Sequence, residues 1–329
     1  MSIISLLMLL WWLALLIKGA DFLVDGASDI ARKYGISNAI IGLTIVAFWT
    51  SMPELVVNVF GALEWNSGIA FGNIIGSNIA NILLVLWITG LITTLTVQKV
   101  TVWKEIPFSL LAVIVLVIFA NLSLIDGTWS DALLRSWGMI LIAFFVIFLY
   151  YAHGSIEDNK QIEDKANWAG IEDTQIASLP VRKSSLYIIG GLGALYFWGT
   201  WTVDGAIVIA KSFWLSDFLI SATVIALGTS LPELVTSVVA ARKNNVDLAV
   251  GNIVGSNIFN IFWILGVTAV IQPIDFPTGA NVDLVVLLIT TFFLFAFMFI
   301  GKRHQLQRRQ AILFILMYIA YIAYVIRRG

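Results

Sequence analysis

Two glutamates stand where a long apolar sequence has least room for them: Glu54 in "AFWTSMPEL" (47–55) and Glu233 in "ALGTSLPEL" (226–234). In each copy four residues follow the i, i+3, i+4, i+7 spacing of one helix face. They are Ala47, Thr50, Ser51 and Glu54, then Ala226, Thr229, Ser230 and Glu233. A proline precedes each glutamate. Pro53 and Pro232 lack an N–H and crowd the turn before them, so each either frees backbone carbonyls for other use or simply kinks its helix. Carboxylates, hydroxyls and freed carbonyls are hard oxygen ligands, which suit Ca2+, Na+ or Mg2+ and disfavour zinc and copper. Mg2+ sheds its water reluctantly, whereas Ca2+ accepts about six to eight mixed oxygens in a flexible cage. Two carboxylates balance one Ca2+ or two Na+, so the two ions can compete for one place.

A second motif is also written twice, as "GNIIGSNIANI" at 72–82 and "GNIVGSNIFNI" at 251–261. Ser77 and Asn81 lie one helical turn apart, as do Ser256 and Asn260, and each pair shares a face. Gly72 with Gly76, and Gly251 with Gly255, make the small-xxx-small pattern that lets helix backbones approach closely. Close approach would bring the amide oxygens toward the glutamates. A carboxylate at the centre of a membrane helix costs ~2.5 to 3.5 kcal/mol, and neither core segment offers a Lys or Arg to offset it. The offset must come from cations, from protons, or from both, unless the acids are neutral and structural.

These motifs sit in a membrane protein. Of 329 residues, 60% are hydrophobic and 12% charged, and apolar runs long enough to cross ~30 Å of hydrocarbon recur along the chain. About ten such runs are legible, near 2–19, 37–63, 68–92, 103–121, 132–152, 185–203, 217–241, 246–271, 281–300 and 307–326. The first and sixth continue, less apolar, toward Asp25 and Asp204. The first run leads into "KGADFLVDGA" and not into a small-residue cleavage site, so it is expected to remain as a helix. With 0 cysteines there is no disulfide framework and no thiolate metal site, and a net charge of -1 argues against a nucleic-acid partner. Placing the N-terminus outside puts most basic residues, among them Arg32, Lys33, Arg182, Lys183, Arg242 and Lys243, on the cytoplasmic side. A multi-pass protein of the cell membrane is expected, with both termini outside and the 153–184 loop in the cytoplasm.

The doubling has one constant offset. Glu233 follows Glu54 by 179 positions and Asn260 follows Asn81 by 179; from Thr44 to Ile82, 21 of 39 residues equal their partners 179 later. That offset carries five helices, an odd number, so the second half enters the membrane from the opposite side. An all-α membrane fold of two inverted five-helix repeats is expected, over 1–152 and 185–329, joined by a cytoplasmic linker at 153–184. Inverted repeats with interrupted helices in matching positions are the layout of secondary transporters, whose ion site lies near the midplane between the halves.

"TSMPEL" and "GTSLPEL", each followed at the same interval by "GNIxGSNIxNI", resemble the α-repeats of the calcium/cation antiporter superfamily, in particular prokaryotic sodium/calcium exchangers. The resemblance covers both halves. It implies a long, tilted first and sixth helix that slide past a fixed core. It also implies that Glu54 and Glu233 are central ligands shared by Ca2+ and Na+. Thr50, Ser51, Thr229 and Ser230 would give hydroxyl or carbonyl oxygens, Ala47 and Ala226 backbone carbonyls, and Ser77 and Ser256 sodium contacts, with Asn81 and Asn260 completing the middle. Some sodium/calcium exchangers have Asp at one of these Asn positions, whereas this chain has Asn at both, so a three-sodium stoichiometry does not carry over with the resemblance.

The implied activity is antiport of Ca2+ against Na+, with no resident cofactor and no enzyme chemistry; the partners are the ions and the lipid bilayer, with no obligate protein. Proton-coupled exchange of Ca2+ or another divalent cation is the alternative, although the hydroxyls at 50, 51, 229 and 230 favour sodium. A channel would need a continuous polar path, and here the polar residues converge on one cluster. An enzyme would need a nucleophile with its base, or a metal with an open coordination position, and the two histidines, His153 and His304, are expected in loops just past the ends of apolar runs. The 153–183 loop repeats "IED" three times; it reads as a solvated linker or a regulatory calcium site, without the spaced ligands of an EF-hand. Asp25 and Asp204 either shape ion entry or cap helices. Trp49 stands where the second copy has Gly228, and it is expected to point away from the ion cavity while its carbonyl faces it.

Overall fold

The computed structural model describes residues 3–63, 67–127, 132–168, 180–212, 226–277 and 279–328. Ten helical spans lie among the described residues: α1 Ile3–Lys33, α2 over 38–63, α3 over 67–92, α4 Thr101–Phe119, α5 Arg135–Trp168, α6 Val181–Ser212, α7 over 226–242, α8 Val246–Ile271, α9 Ala280–Phe297 and α10 Arg308–Arg328. Six of these helices are long and apolar enough to cross a membrane, seven with the bent α2. Long α1 and α6 carry the charged extensions expected of them. Helix α5 runs on to Trp168, so the first half of the expected 153–184 linker is helical; 169–179 lies outside the described residues.

Two helices form the centre. In α8 and α3, 83% and 72% of the most apolar window is buried, against 17% in peripheral α10. The backbones meet through glycine, because only a residue without Cβ admits a second helix so close. A Cβ on Gly251 would strike the Ala39 carbonyl of α2, and one on Gly255 the Leu43 carbonyl and the Ala47 Cβ. The segment that the repeat would place opposite Gly72 and Gly76, 213–225, lies outside the described residues.

The symmetry of the sequence is an inverted one in space. Helices α1 and α6, related by the offset, run antiparallel: the Trp12 and Trp201 rings lie 6.2 Å apart, centroid to centroid, and the Phe22 and Tyr187 rings 5.1 Å apart. Gly19 and Gly191 let them touch, since a Cβ on Gly191 would lie 2.6 Å from the Gly19 carbonyl. Helices α3 and α8 are also antiparallel, as the bonds Asn81 to Asn257 and Asn260 to Asn78 require. The α1–α6 pair packs on the core along an apolar seam that runs from Leu16 to Ala31 of α1, and polar contacts add to it at one end, where Lys243 after α7 reaches Asp25 at 2.7 Å and Asn245 donates to Ser28 at 2.8 Å. Asp25 thus neither caps α1 nor stands free; the side chain of Asp204 lies outside the described residues. Two short antiparallel strand pairs, Leu95–Thr96 with Gln305–Leu306 and Ala132–Leu133 with Ile274–Asp275, tie loops of one half to loops of the other.

The glycine contacts give a stability contrast. Gly255→Ala is expected to lower the melting temperature of the detergent-purified protein, by about 1 to 3 kcal/mol of overpacking. Gly193→Ala on α6, with nothing within 4 Å of its Cβ, should hold or raise it by up to ~1 kcal/mol of helix propensity. Equal melting shifts in both variants would refute the close approach.

Candidate ion site

Each glutamate is placed by a broken helix. Helix α2 bends by 42° between Asn38–Thr50 and Met52–Leu63, at Ser51. Ser51 takes φ −85°, ψ 8°, and its repeat partner Ser230 takes φ −86°, ψ 4°. Pro53 and Pro232 are the second residues of the helices after these breaks, in the first turn, where a missing N–H costs nothing. The break leaves Glu54 and Glu233 in the first turn of a new helix, with the positive dipole end beside each carboxylate. Both side chains are 0% exposed.

The carboxylates are held from across the repeat. Ser51 of the first half donates to Glu233 Oε1 at 2.9 Å, and Ser230 of the second donates to Glu54 Oε1 at 3.4 Å. From the central helices, Ser77 donates to Glu54 Oε1 at 3.2 Å and Ser256 to Glu233 Oε1 at 3.3 Å. Thr50 Oγ1 lies 3.4 Å from Ser256 Oγ, and Thr229 Oγ1 lies 3.4 Å from Ser77 Oγ. Every bond has a counterpart 179 residues on.

What these bonds leave over is a set of oxygens. Glu54 Oε2, Glu233 Oε2, Asn81 Oδ1 and Asn260 Oδ1 are buried and have no hydrogen-bond partner among the described residues. The amide nitrogens of Asn81 and Asn260 donate to Asn257 and Asn78, at 3.1 and 3.0 Å, which fixes which atom of each side chain stays open. Among the described residues no Lys or Arg pairs with either glutamate, and no group of three or more His, Cys, Asp or Glu gathers here. Buried acceptors without donors are costly unless something positive meets them. The chemistry of the donor set is that of a hard cation site with two charged and several neutral oxygens.

Of the residues singled out by sequence, Thr50, Ser51, Glu54, Ser77, Asn81, Thr229, Ser230, Glu233, Ser256 and Asn260 are all buried in this one cluster. The Ala47 carbonyl lies 3.3 Å from Thr50 Oγ1, and it keeps a helical bond from Ser51 N–H at 3.1 Å. Ala226 opens the helix Ala226–Thr229, one turn before Thr229. Trp49 points outward: it is 45% exposed and packs its edge on Phe48. His153 is not in a loop but exposed on α5, because the helix continues past the apolar run to Trp168, and His304 lies in the turn before α10.

Sequence reasoning missed the polar side chains, mostly amides, that lie behind the ligands. Asn58, Asn73, Asn78, Ser237, Asn252 and Asn257 bond the backbone and one another. Asn73 Nδ2 reaches Asn58 Oδ1 at 2.7 Å, and Asn252 Nδ2 reaches Ser237 Oγ at 3.0 Å. The signal was present, since Asn73, Asn78 and their partners recur at the offset within apolar helices, where an amide must find a partner.

The sodium/calcium exchanger protein family model matches residues 4–154 and 183–327. The chain belongs to that family. Similarity extends over whole relatives: the chain is 36% identical to the putative antiporter CaxA of Alkalimonas amylolytica, over 97% of this chain and 98% of that one. It is 28% identical to the sodium/calcium exchanger MaX1 of Methanosarcina acetivorans, with 98% of each covered. The solved sodium-calcium exchanger NCX_Mj, soaked with zero Na+ and Ca2+, superposes with a TM-score of 0.80 at 33% identity, over 99% of this chain and 100% of that one. A member of the sodium/calcium exchanger family is a membrane transporter of the antiport type, not an enzyme.

Two measurements test this site. Adding Ca2+ at a hundred times its dissociation constant should stabilise the detergent-purified protein by about 2.7 kcal/mol, read as a raised melting temperature. Glu54→Gln with Glu233→Gln should abolish the shift, and a shift that survives both substitutions places the cation elsewhere. Trp49→Leu should leave ion flux within about twofold, because a surface substitution away from the cluster changes little.

Proposed function

We propose that this chain exchanges Na+ for Ca2+ across the cell membrane by alternating access, at a site between two inverted repeats spanning 1–152 and 185–329. Glu54 and Glu233 carry the charge of the site. Thr50, Ser51, Ser77, Thr229, Ser230 and Ser256 supply neutral oxygens, with Asn81 and Asn260 in the middle and the Ala47 and Ala226 carbonyls at its ends. The observation that supports this most is the set of four buried oxygens, one carboxylate and one amide from each half, that no hydrogen bond claims. A cation is the partner they fit. The names of MaX1 and NCX_Mj point the same way.

Two carboxylates without a basic partner balance either one Ca2+ or two Na+, so one cluster serves both ions in turn. The α1–α6 pair, joined to each other through glycines and resting on the core along an apolar seam, is the body that moves past α3 and α8. Both termini face outward and the 153–184 segment faces the cytoplasm, as the basic residues require. If two Na+ exchange for one Ca2+ no net charge crosses; each further Na+ would add ~2.3 kcal/mol per 100 mV to the driving force.

The test is transport in liposomes. Purified protein is reconstituted with internal Na+, and 45Ca2+ uptake is followed on dilution into Na+-free medium, with pH and K+ gradients as alternatives. Sodium-driven uptake is expected, reduced about 100-fold or more in Glu54→Gln and in Glu233→Gln, because each removes a buried charge facing the ion. Uptake driven by a pH gradient and indifferent to Na+ would establish proton coupling instead.

A further inference from the structure

The threonine hydroxyls pose a problem for the proposed site. A hydroxyl binds a cation only through its lone pairs, and its proton must be taken by some other acceptor. Thr50 Oγ1 lies 3.3 Å from the Ala47 carbonyl, itself a proposed ligand, and the Glu233 carboxylate is a further acceptor within reach. Thr229 likewise has the Glu54 carboxylate within reach. A proton pointed at either would block the oxygen that the cation needs.

Two chains of hydrogen bonds decide where those protons go, and the direction of each is fixed at a backbone carbonyl, which can only accept. Ala70 O accepts from Asn58 Nδ2 at 3.0 Å, so the oxygen of Asn58 faces Asn73. Asn73 therefore presents its nitrogen to Asn58, at 2.7 Å, and also to the Glu54 carbonyl, at 3.4 Å. Its oxygen is left facing Thr229, 3.2 Å away, and an amide oxygen can only accept. The other half runs the same way with a different first residue. Ser237 donates to Ala249 O at 3.4 Å and accepts from Asn252 Nδ2 at 3.0 Å, so the oxygen of Asn252 faces Thr50 at 3.1 Å.

We propose that Asn73 and Asn252 are positioning residues: each draws the hydroxyl proton of the opposite repeat's threonine, Thr229 or Thr50, and so turns that threonine's lone pairs toward the transported cation. This rests on the exchange reading given above. Ser77 and Ser256 direct their own protons to the carboxylates. The pairs Ser77 with Thr229 and Thr50 with Ser256, each 3.4 Å apart, then face one another with lone pairs alone. That spacing is the edge of a cation's shell, since neighbouring oxygens at ~2.4 Å from an octahedral ion stand about 3.4 Å apart. A Na+ beside one carboxylate depends more on these neutral oxygens than a Ca2+ held between two, so the relay bears on sodium first.

The protein contains its own control, because Asn58 and Ser237 occupy equivalent positions and both pass the direction on. In liposomes, half-saturating Na+ for sodium-driven Ca2+ flux is measured beside half-saturating Ca2+ for Ca2+/Ca2+ exchange, which needs no sodium. Asn73→Leu, Asn252→Leu and Asn58→Val should raise the sodium value about tenfold, the cost of one misdirected buried hydrogen bond, and leave the calcium value within about threefold. Asn58→Ser, which copies Ser237, should keep both values near wild type. The relay is overturned if sodium and calcium values move together or not at all, or if Asn58→Ser behaves as Asn58→Val does. Where a leucine variant fails to fold, the two substitutions at Asn58 decide. Sodium-driven flux in the wild type is measured first, so that a failure of the exchange reading is told apart from a failure of the relay.

Discussion

Two carboxylates, fully buried and with no basic side chain paired to them among the described residues, are the constraint around which the rest of this molecule is arranged. Like charges brought together out of water are unstable unless dipoles, hydrogen bonds and a counter-ion offset them. The structure supplies the first two from several directions. Each glutamate begins a helix after a break, receives two serine hydroxyls on one oxygen, and keeps the other oxygen open. The breaks at Ser51 and Ser230, the glycine contacts of α8 and the amides of α3 and α8 all follow from that need. None of them would be favourable in a helix that had only to cross a membrane.

Symmetry makes this arrangement economical, and its departures are informative. The offset of 179 residues reproduces bonds as well as letters, so one half's solution serves the other with the direction reversed. Trp49 breaks the pattern where Gly228 is its partner, and it does so by facing outward, away from the ligands. Asn58 breaks it where Ser237 is its partner, yet both receive an asparagine N–H and donate to an alanine carbonyl. Two different side chains can therefore hold the same hydrogen-bond direction. Lys243 breaks it more sharply, since its partner is Glu64: the ion pair with Asp25 has no counterpart of the same charge in the other half.

Much of the fold was legible because membrane helices announce themselves by length and composition, and a repeat announces itself by offset. The spans, the extended first and sixth helices and the polar cluster could be read in this way. The helical continuation of α5 to Trp168 could not, because its residues are charged and no apolar period marks them. The short strand pairs escaped for a related reason: two residues carry no detectable alternation, and their partners lie in distant loops. The amides were visible as repeated asparagines, but not as hydrogen-bonded chains, because spacing along one helix says nothing of the partner across from it.

The sequence by itself determined which residue types can meet a cation, that they come in two copies, and that an odd number of helices inverts the second copy. It did so because periodicity and offset are properties of the chain alone. Only the tertiary structure decided which oxygens remain open. Glu54 Oε1 is occupied by serines while Oε2 is not, and the nitrogens of Asn81 and Asn260 are engaged while their oxygens are left. That distinction depends on donors delivered from the opposite repeat, and a hydrogen bond between residues about 180 positions apart exists only once the helices have packed.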